Sequence, residues 1–191
     1  MNSQPAPPLR IAVVGTGGSG LAVVDVQNPS KPTLLRTIPA PGWMRDILLD
    51  GAYAYVAADG AGVHVFSLAD PANPVRVHTT SENMAAWELR KSGHVLLVAD
   101  YQDRLLGFDL QDPVHPELVV SKALPGWQPT ALDVRGDYVL VAGRFRGLVV
   151  LQLPGLAPAP PSIIGPPLPK SVSPGDVARF ETKAAGNLPL G

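Results

Sequence analysis

Apolar and polar positions along the chain follow one template repeated at a nearly fixed interval. Ala12-Val13-Val14-Gly15 recurs as Ala54-Tyr55-Val56-Ala57, Leu96-Leu97-Val98-Ala99 and Val139-Leu140-Val141-Ala142, at steps of 42, 42 and 43 residues. A second column of apolar runs, at 21–26, 63–68, 105–110 and 148–153, keeps the same steps. Each run is too short for a helix and β-prone in composition, so both columns predict strands.

Turn chemistry repeats with the strands. Pro29 and Pro32 recur as Pro71 and Pro74, then as Pro113 and Pro116, with Asn28, Asp70 and Asp112 standing before the first proline of each pair as favoured turn starters. Gly51, Gly93 and Gly136 precede their strands, where a tight hairpin needs a residue tolerant of positive φ. Pro41-Gly42-Trp43 returns as Pro125-Gly126-Trp127, with Asn83-Met84-Ala85 in the intervening copy.

A complete unit therefore holds four strands, A (43–49), B (53–57), C (63–68) and D (75–79). Four short antiparallel strands in forty-odd residues describe one blade of a β-propeller, a sheet covered by a neighbour on both faces. That accounts for B and C strands that are apolar almost throughout, where a surface sheet would alternate. The fold class expected is all-β, an incomplete propeller of about three and a half four-stranded antiparallel blades over residues 9–153, with a Pro-rich tail at 154–191. Closed propellers use typically 4 to 8 blades. The chain is accordingly expected to be a fragment of a longer protein, whose neighbouring blades complete the ring, or else to self-associate through open blade edges.

The string Gly-x-Tyr-Ala-Tyr-Val-Ala, a short loop, Gly-Val-x-Val-Phe and Asp-Pro-x-x-Pro at 51–74, with Gly20-Leu21-Ala22-Val23-Val24-Asp25-Val26-Gln27-Asn28-Pro29, resembles the LVIVD-repeat family of bacterial and archaeal propellers. Leu106-Gly107-Phe108 and Leu151-Gln152-Leu153 depart from its usual Val-Asp spelling without breaking the period. The resemblance implies a cell-surface or secreted protein, so an extracellular or cell-envelope location is expected, and it brings no catalytic residues. In the tail, Pro174-Gly175-Asp176-Val177-Ala178-Arg179-Phe180 and Ala184-Ala185-Gly186-Asn187-Leu188-Pro189 resemble the first strands of an immunoglobulin-like domain, with Thr182 where many such domains place a cysteine. Such a domain needs about 100 residues, so the tail supplies about a third.

Charge and composition remove several function classes. Fifteen Lys and Arg against sixteen Asp and Glu give a net charge of −1, which offers no bulk attraction to nucleic acid or to an anionic membrane. No apolar run nears the roughly 18 residues of a membrane span, and 1–8, uncharged with three prolines, is no signal peptide. Without cysteine there is no disulfide, thiolate zinc site or thiol nucleophile.

Gly15-Thr16-Gly17-Gly18-Ser19-Gly20 has the spelling of a dinucleotide-binding turn, but that chemistry needs a helix next, and a β-prone run follows instead. No cofactor is expected. His64, His78, His94 and His115 lack metal-ligand spacing, although His64 and His78 lie on adjacent strands. No catalytic residue and no metal ligand is assigned.

Alternating strand direction gathers the D-to-A and B-to-C connections on one rim. It carries Trp43, Arg45, Asp46, Trp87, Glu88 and Trp127 near the A strands, and Arg104 and Arg144 in B-to-C loops. Aromatic and arginine side chains anchor interfaces, which makes this rim the candidate contact for a protein or glycan partner. The competing reading makes the tryptophans wedges between blades and the charges solvated. The function expected is a non-enzymatic binding or scaffold module. The alternative is an accessory propeller of a hydrolytic enzyme, or a hydrolytic rim site in which Asp46 and Glu88 take equivalent places and Thr130 breaks the third.

Overall fold

A computed structural model describes residues 10–80 and 82–153 together with two short strands in the tail. Blade 1 is β1 (Ile11–Gly15), β2 (Leu21–Asp25) and β3 (Thr33–Ile38). Blade 2 is β4 (Asp46–Asp50), β5 (Tyr53–Ala57), β6 (Val63–Ser67) and β7 (Val75–Thr79). Blade 3 is β8 (Ala86–Ser92), β9 (Val95–Asp100), β10 (Arg104–Asp109) and β11 (Glu117–Ala123). Blade 4 is β12 (Pro129–Arg135), β13 (Tyr138–Gly143) and β14 (Gly147–Gln152). Every neighbouring pair is antiparallel and sequential, as in a meander, and the described residues hold no helix.

Strand alternation explains the core. Tyr55, Val63 and Val65 point from blade 2 toward blade 3 and pack with Leu96, Val98, Leu106 and Phe108. From the opposite side of the same sheet, Ala54, Val56 and Phe66 meet Leu21 and Val13 of blade 1. Leu97, Ala99 and Leu105 then carry blade 3 onto Leu132, Val139 and Val141 of blade 4. Both faces of an inner blade are thus apolar, because each is an interface, and each fully buried Leu or Phe contributes about 1.5–3 kcal/mol. Tyr55 and His64 are polar exceptions in blade 2, and Tyr55 bridges two blades. Its hydroxyl donates to the Pro113 carbonyl at 2.9 Å, tying blade 2 to a loop of blade 3, and burial first, then Asp50, pushes its pKa up to about 12.

The C-to-D pairing shifts register in each of the first three blades, between Val23 and Val24, Val65 and Phe66, and Gly107 and Phe108. These bulges bend the outermost strand away from the plane of its sheet.

The innermost strand of blade 2 begins at Asp46, three residues later than the sequence pattern suggests. Met44 is drawn instead to blade 1, its N–H donating to the Gly17 carbonyl at 3.1 Å, so that pairing within the blade starts only where Asp46 meets Ala57. Gly42, at φ 89°, makes this detour. A Cβ there would lie 2.1 Å from the Ala58 carbonyl oxygen, which only glycine avoids.

In the tail, β15 (Ser162–Gly165) and β16 (Lys183–Ala185) pair antiparallel as a separate two-stranded sheet. The immunoglobulin-like string from Pro174 to Phe180 and Thr182 lies outside the described residues.

Candidate rim site

The loop between β1 and β2 shows why the glycine-rich string is not a nucleotide turn. Gly15 pairs with Leu21, and Thr16 N–H returns to the Gly20 carbonyl at 2.9 Å, closing a hairpin between strands. Gly20 sits at φ 97°, where a Cβ would fall 2.2 Å from the Ile38 carbonyl oxygen. The glycines serve the hairpin and the close approach of Trp43, whose ring covers Gly17 and Gly18.

The rim residues form a ladder across blades 2, 3 and 4. Arg45 donates to Asp59 Oδ2 through Nε at 3.0 Å and Nη2 at 2.6 Å, which holds the guanidinium over the Trp87 ring, 3.9 Å from its centroid. Trp87 stacks in turn on Tyr101, with centroids 4.8 Å apart and an interplanar angle of 21°. Tyr101 accepts a hydrogen bond from Arg144, whose guanidinium also lies 5.1 Å from the Phe145 ring. Tyr101, Phe145 and Arg90 were not singled out by the sequence reading. Tyr101 carried a signal nonetheless, since it stands one period after Asp59 in the same loop.

Arg104 belongs to a different arrangement. Its Nε donates to Asp100 Oδ2 at 2.6 Å, and a second nitrogen donates to the Asn83 carbonyl. Asp100 is fully buried, and its other oxygen accepts the N–H groups of Ala85 at 2.8 Å and Gln102 at 3.0 Å. A buried carboxylate with two backbone donors and a paired guanidinium is a satisfied structural group.

Asp46 and Glu88 approach the axis and act as latches between blades. Asp46 Oδ2 accepts the Leu89 N–H at 2.9 Å, and Glu88 Oε2 accepts the Leu132 N–H at 2.6 Å. Arg90 lies between them, 3.6 Å from Asp46 Oδ2 and paired with Glu88 Oε1. Pairing with the next strand sets the equivalence of positions. Asp46 faces Ala57, Glu88 faces Ala99, and the residue facing Ala142 is Ala131, so the third place is Ala131 and not Thr130. Arg45, Asp46, Trp87, Glu88, Thr130 and Ala131 line a shallow groove of about 230 Å³.

The three tryptophans divide. Trp87 and Trp127 are half-buried and pack on the cluster between blades 3 and 4, and a Cβ on Gly143 would lie 2.8 Å from the Trp127 ring. Trp43 is 56% exposed. The wedge reading fits the first two, while Trp43 is presented to solvent.

The B-to-C loop of blade 3 also clamps the chain entering blade 4. Asp103 Oδ2 accepts Gly126 N–H and Oδ1 accepts Gln128 N–H, both at 2.9 Å, and these bonds, that to Gly126 first, hold its carboxyl below the usual carboxylate range. His64 and His78 do not meet. The register pairs His64 with Thr79 and Val65 with His78, so the two rings leave opposite faces of the sheet. His78 instead packs edge-on to His115, at 5.1 Å. Among the described residues no group of three or more His, Asp or Glu converges as a metal ligand set.

Residues 12–38 and 41–80 match the LVIVD repeat, so the chain contains repeats of that type. No curated protein matches it. Solved structures similar to it include the β-propeller domain of Myceliophteria thermophila Cps50 (Swd1), at 15% identity and TM-score 0.59 over 73% of this chain and 46% of that one. The computationally designed Ika8 protein is similar at 15% identity and TM-score 0.61, over 78% of this chain and 44% of that one. The designed Ika4 protein is similar at 14% identity and TM-score 0.60, over 79% of this chain and 96% of that one. The chain thus spans less than half the length of Ika8 and of the Cps50 domain. These likenesses establish the propeller fold, with the blades forming an open arc.

Proposed function

We propose that the chain is a non-enzymatic binding or scaffold module that engages a protein or glycan through the rim carrying Trp43, Arg45, Trp87 and Arg144, at the cell surface or in a secreted protein. The repeat type supports a binding or scaffold role. The observation that carries the rim assignment is the ladder from Asp59 through Arg45, Trp87 and Tyr101 to Arg144. It holds cationic and aromatic groups of three blades in fixed positions beside the exposed Trp43. Preorganised aromatic and arginine side chains lose little freedom on contact, which is what anchor residues require. The carboxylates nearest the axis are bonded to backbone N–H groups of the following blade, an arrangement that serves packing and not acid–base work.

The test is a glycan array and a panel of purified surface proteins probed with the full chain and with Trp43→Ala and Arg144→Ala. The reading expects a partner bound by the native chain and lost in both variants with the melting temperature unchanged. Calorimetric titration with Ca²⁺ and Zn²⁺ addresses the hydrolytic alternative, since stoichiometric binding abolished by Asp46→Asn and Glu88→Gln would replace this proposal with that one.

A further inference from the structure

The two ends of the arc expose the halves of one interface. On blade 4, Leu140 and Ala142 occupy the register places that Leu97 and Ala99 hold on blade 3, and Leu148 and Val150 those of Leu105 and Gly107. Leu97, Ala99 and Leu105 are buried against blade 4. Among the described residues their counterparts meet no further blade, and Leu148 is 60% and Val150 54% exposed. Leu140, Ala142 and Leu148 line an apolar groove of about 160 Å³. On blade 1, Ala12 and Val14 hold the places of Ala54 and Val56, which pack on the preceding blade. Val14 is 45% exposed.

We propose that a second copy of this chain fills both faces, blade 4 of each copy docking on blade 1 of the other, to close an eight-bladed ring of two chains. Three observations select that occupant. The new joint sets leucines (Leu140, Leu148) on valines (Val14, Val24), as the joint between blades 3 and 4 sets Leu97 and Leu105 against Val139 and Val141. It therefore continues an interface the chain already makes. The latch is missing from the blade 4 side: Ala131 stands where Asp46 and Glu88 offer a carboxylate, so this face asks no backbone N–H of the blade it meets. The arc also matches 46% of the Cps50 propeller domain, so what a ring of that kind lacks is about one more arc. Two arcs of four blades stay within the usual range of propeller sizes. The contact is head-to-tail and closes at two, which prevents open growth.

Sedimentation equilibrium of the full chain is expected to give twice its 20.0 kDa mass, independent of concentration above the dissociation range. Leu148→Glu and Val14→Glu, each on one half of the joint, are each expected to sediment at 20.0 kDa with native circular dichroism. Because every joint uses one of each face, an equimolar mixture of the two variants retains one unaltered joint and is expected to associate again. Val75→Glu, on an outer strand away from both faces, is expected to leave the pair intact. A native chain at monomer mass, a pair that survives both glutamates, or a ladder of rising masses overturns the proposal. If either glutamate variant unfolds, cross-linking between cysteines introduced at positions 14 and 148 of the native background decides: disulfide-linked pairs support the joint and their absence overturns it.

Discussion

Glu88 accepts a hydrogen bond from the backbone N–H of Leu132, 2.6 Å away across a blade boundary, and repeats the bond of Asp46 to Leu89 one blade earlier. The acceptor is a side chain and the donor is main chain, so the latch fixes the height of one inner strand against the next whatever side chain follows. Removing the carboxylate leaves a partly buried donor without a partner. Glu88→Ala is expected to cost about 1–3 kcal/mol in urea unfolding, and Glu88→Gln, which keeps an acceptor oxygen, clearly less.

The tryptophans separate wedge from contact. Trp127→Ala removes a half-buried ring from the cluster between blades 3 and 4 and is expected to destabilise by roughly 3 kcal/mol, near the lower end for buried aromatic truncation. Trp43→Ala removes a mostly exposed ring and is expected to stay within about 0.5 kcal/mol of the native chain. Thermal melts of the two variants side by side check the difference.

Backbone detours make a second contrast. Gly42→Ala places a Cβ against the Ala58 carbonyl and is expected to unfold or severely weaken the joint between blades 1 and 2. Gly51→Ala, at φ 56° with open space around it, is expected to cost only the left-handed penalty of roughly 1–2 kcal/mol. Denaturant midpoints measure both.

Acid sensitivity follows from His64. Burial, the dominant cause, and Arg76 lower its pKa below 6.5 despite the opposing Pro41 carbonyl. That carbonyl, 2.8 Å from Nε2, can only accept, so Nε2 carries the hydrogen and Nδ1 accepts from Thr79 Oγ1 at 2.9 Å. Protonation would put a second hydrogen where a donor already points. The unfolded chain therefore binds a proton near pH 6.5 that the folded chain refuses. The stability from neutral His64 is complete above that pH and is lost as pH falls from 6.5 toward the lowered folded value. Melting temperatures measured from pH 7.5 to 5 are expected to fall, and His64→Gln is expected to flatten that limb.

Much of the fold was legible because blades repeat: two apolar columns and their prolines fixed fourteen strands, and the structure has them as three, four, four and three. What escaped lay in main-chain geometry. Trp43 and Trp127 align in sequence, yet one lies over the preceding blade and the other packs against its own, because an extra residue enters at Gln128, φ 47°. The same insertion moves the third axial position from Thr130 to Ala131. Asp46 and Glu88 were visible as a matched pair, but their partners are N–H groups, which have no side-chain signature. The rim ladder was partly legible through Arg45, Trp87 and Arg144, and Tyr101 between them was missed because its loop position holds Asp in one copy and Tyr in the next.

The bulge between the third and outermost strands has a consequence for solubility. Leu34, Val75, Val77, Leu118 and Val119 leave a greasy perimeter on the outermost strands. Straight strands so exposed would invite zipper-like stacking of one molecule on the next. Since each is bent just where it could offer a flat edge, lateral stacking of one molecule on the next is discouraged.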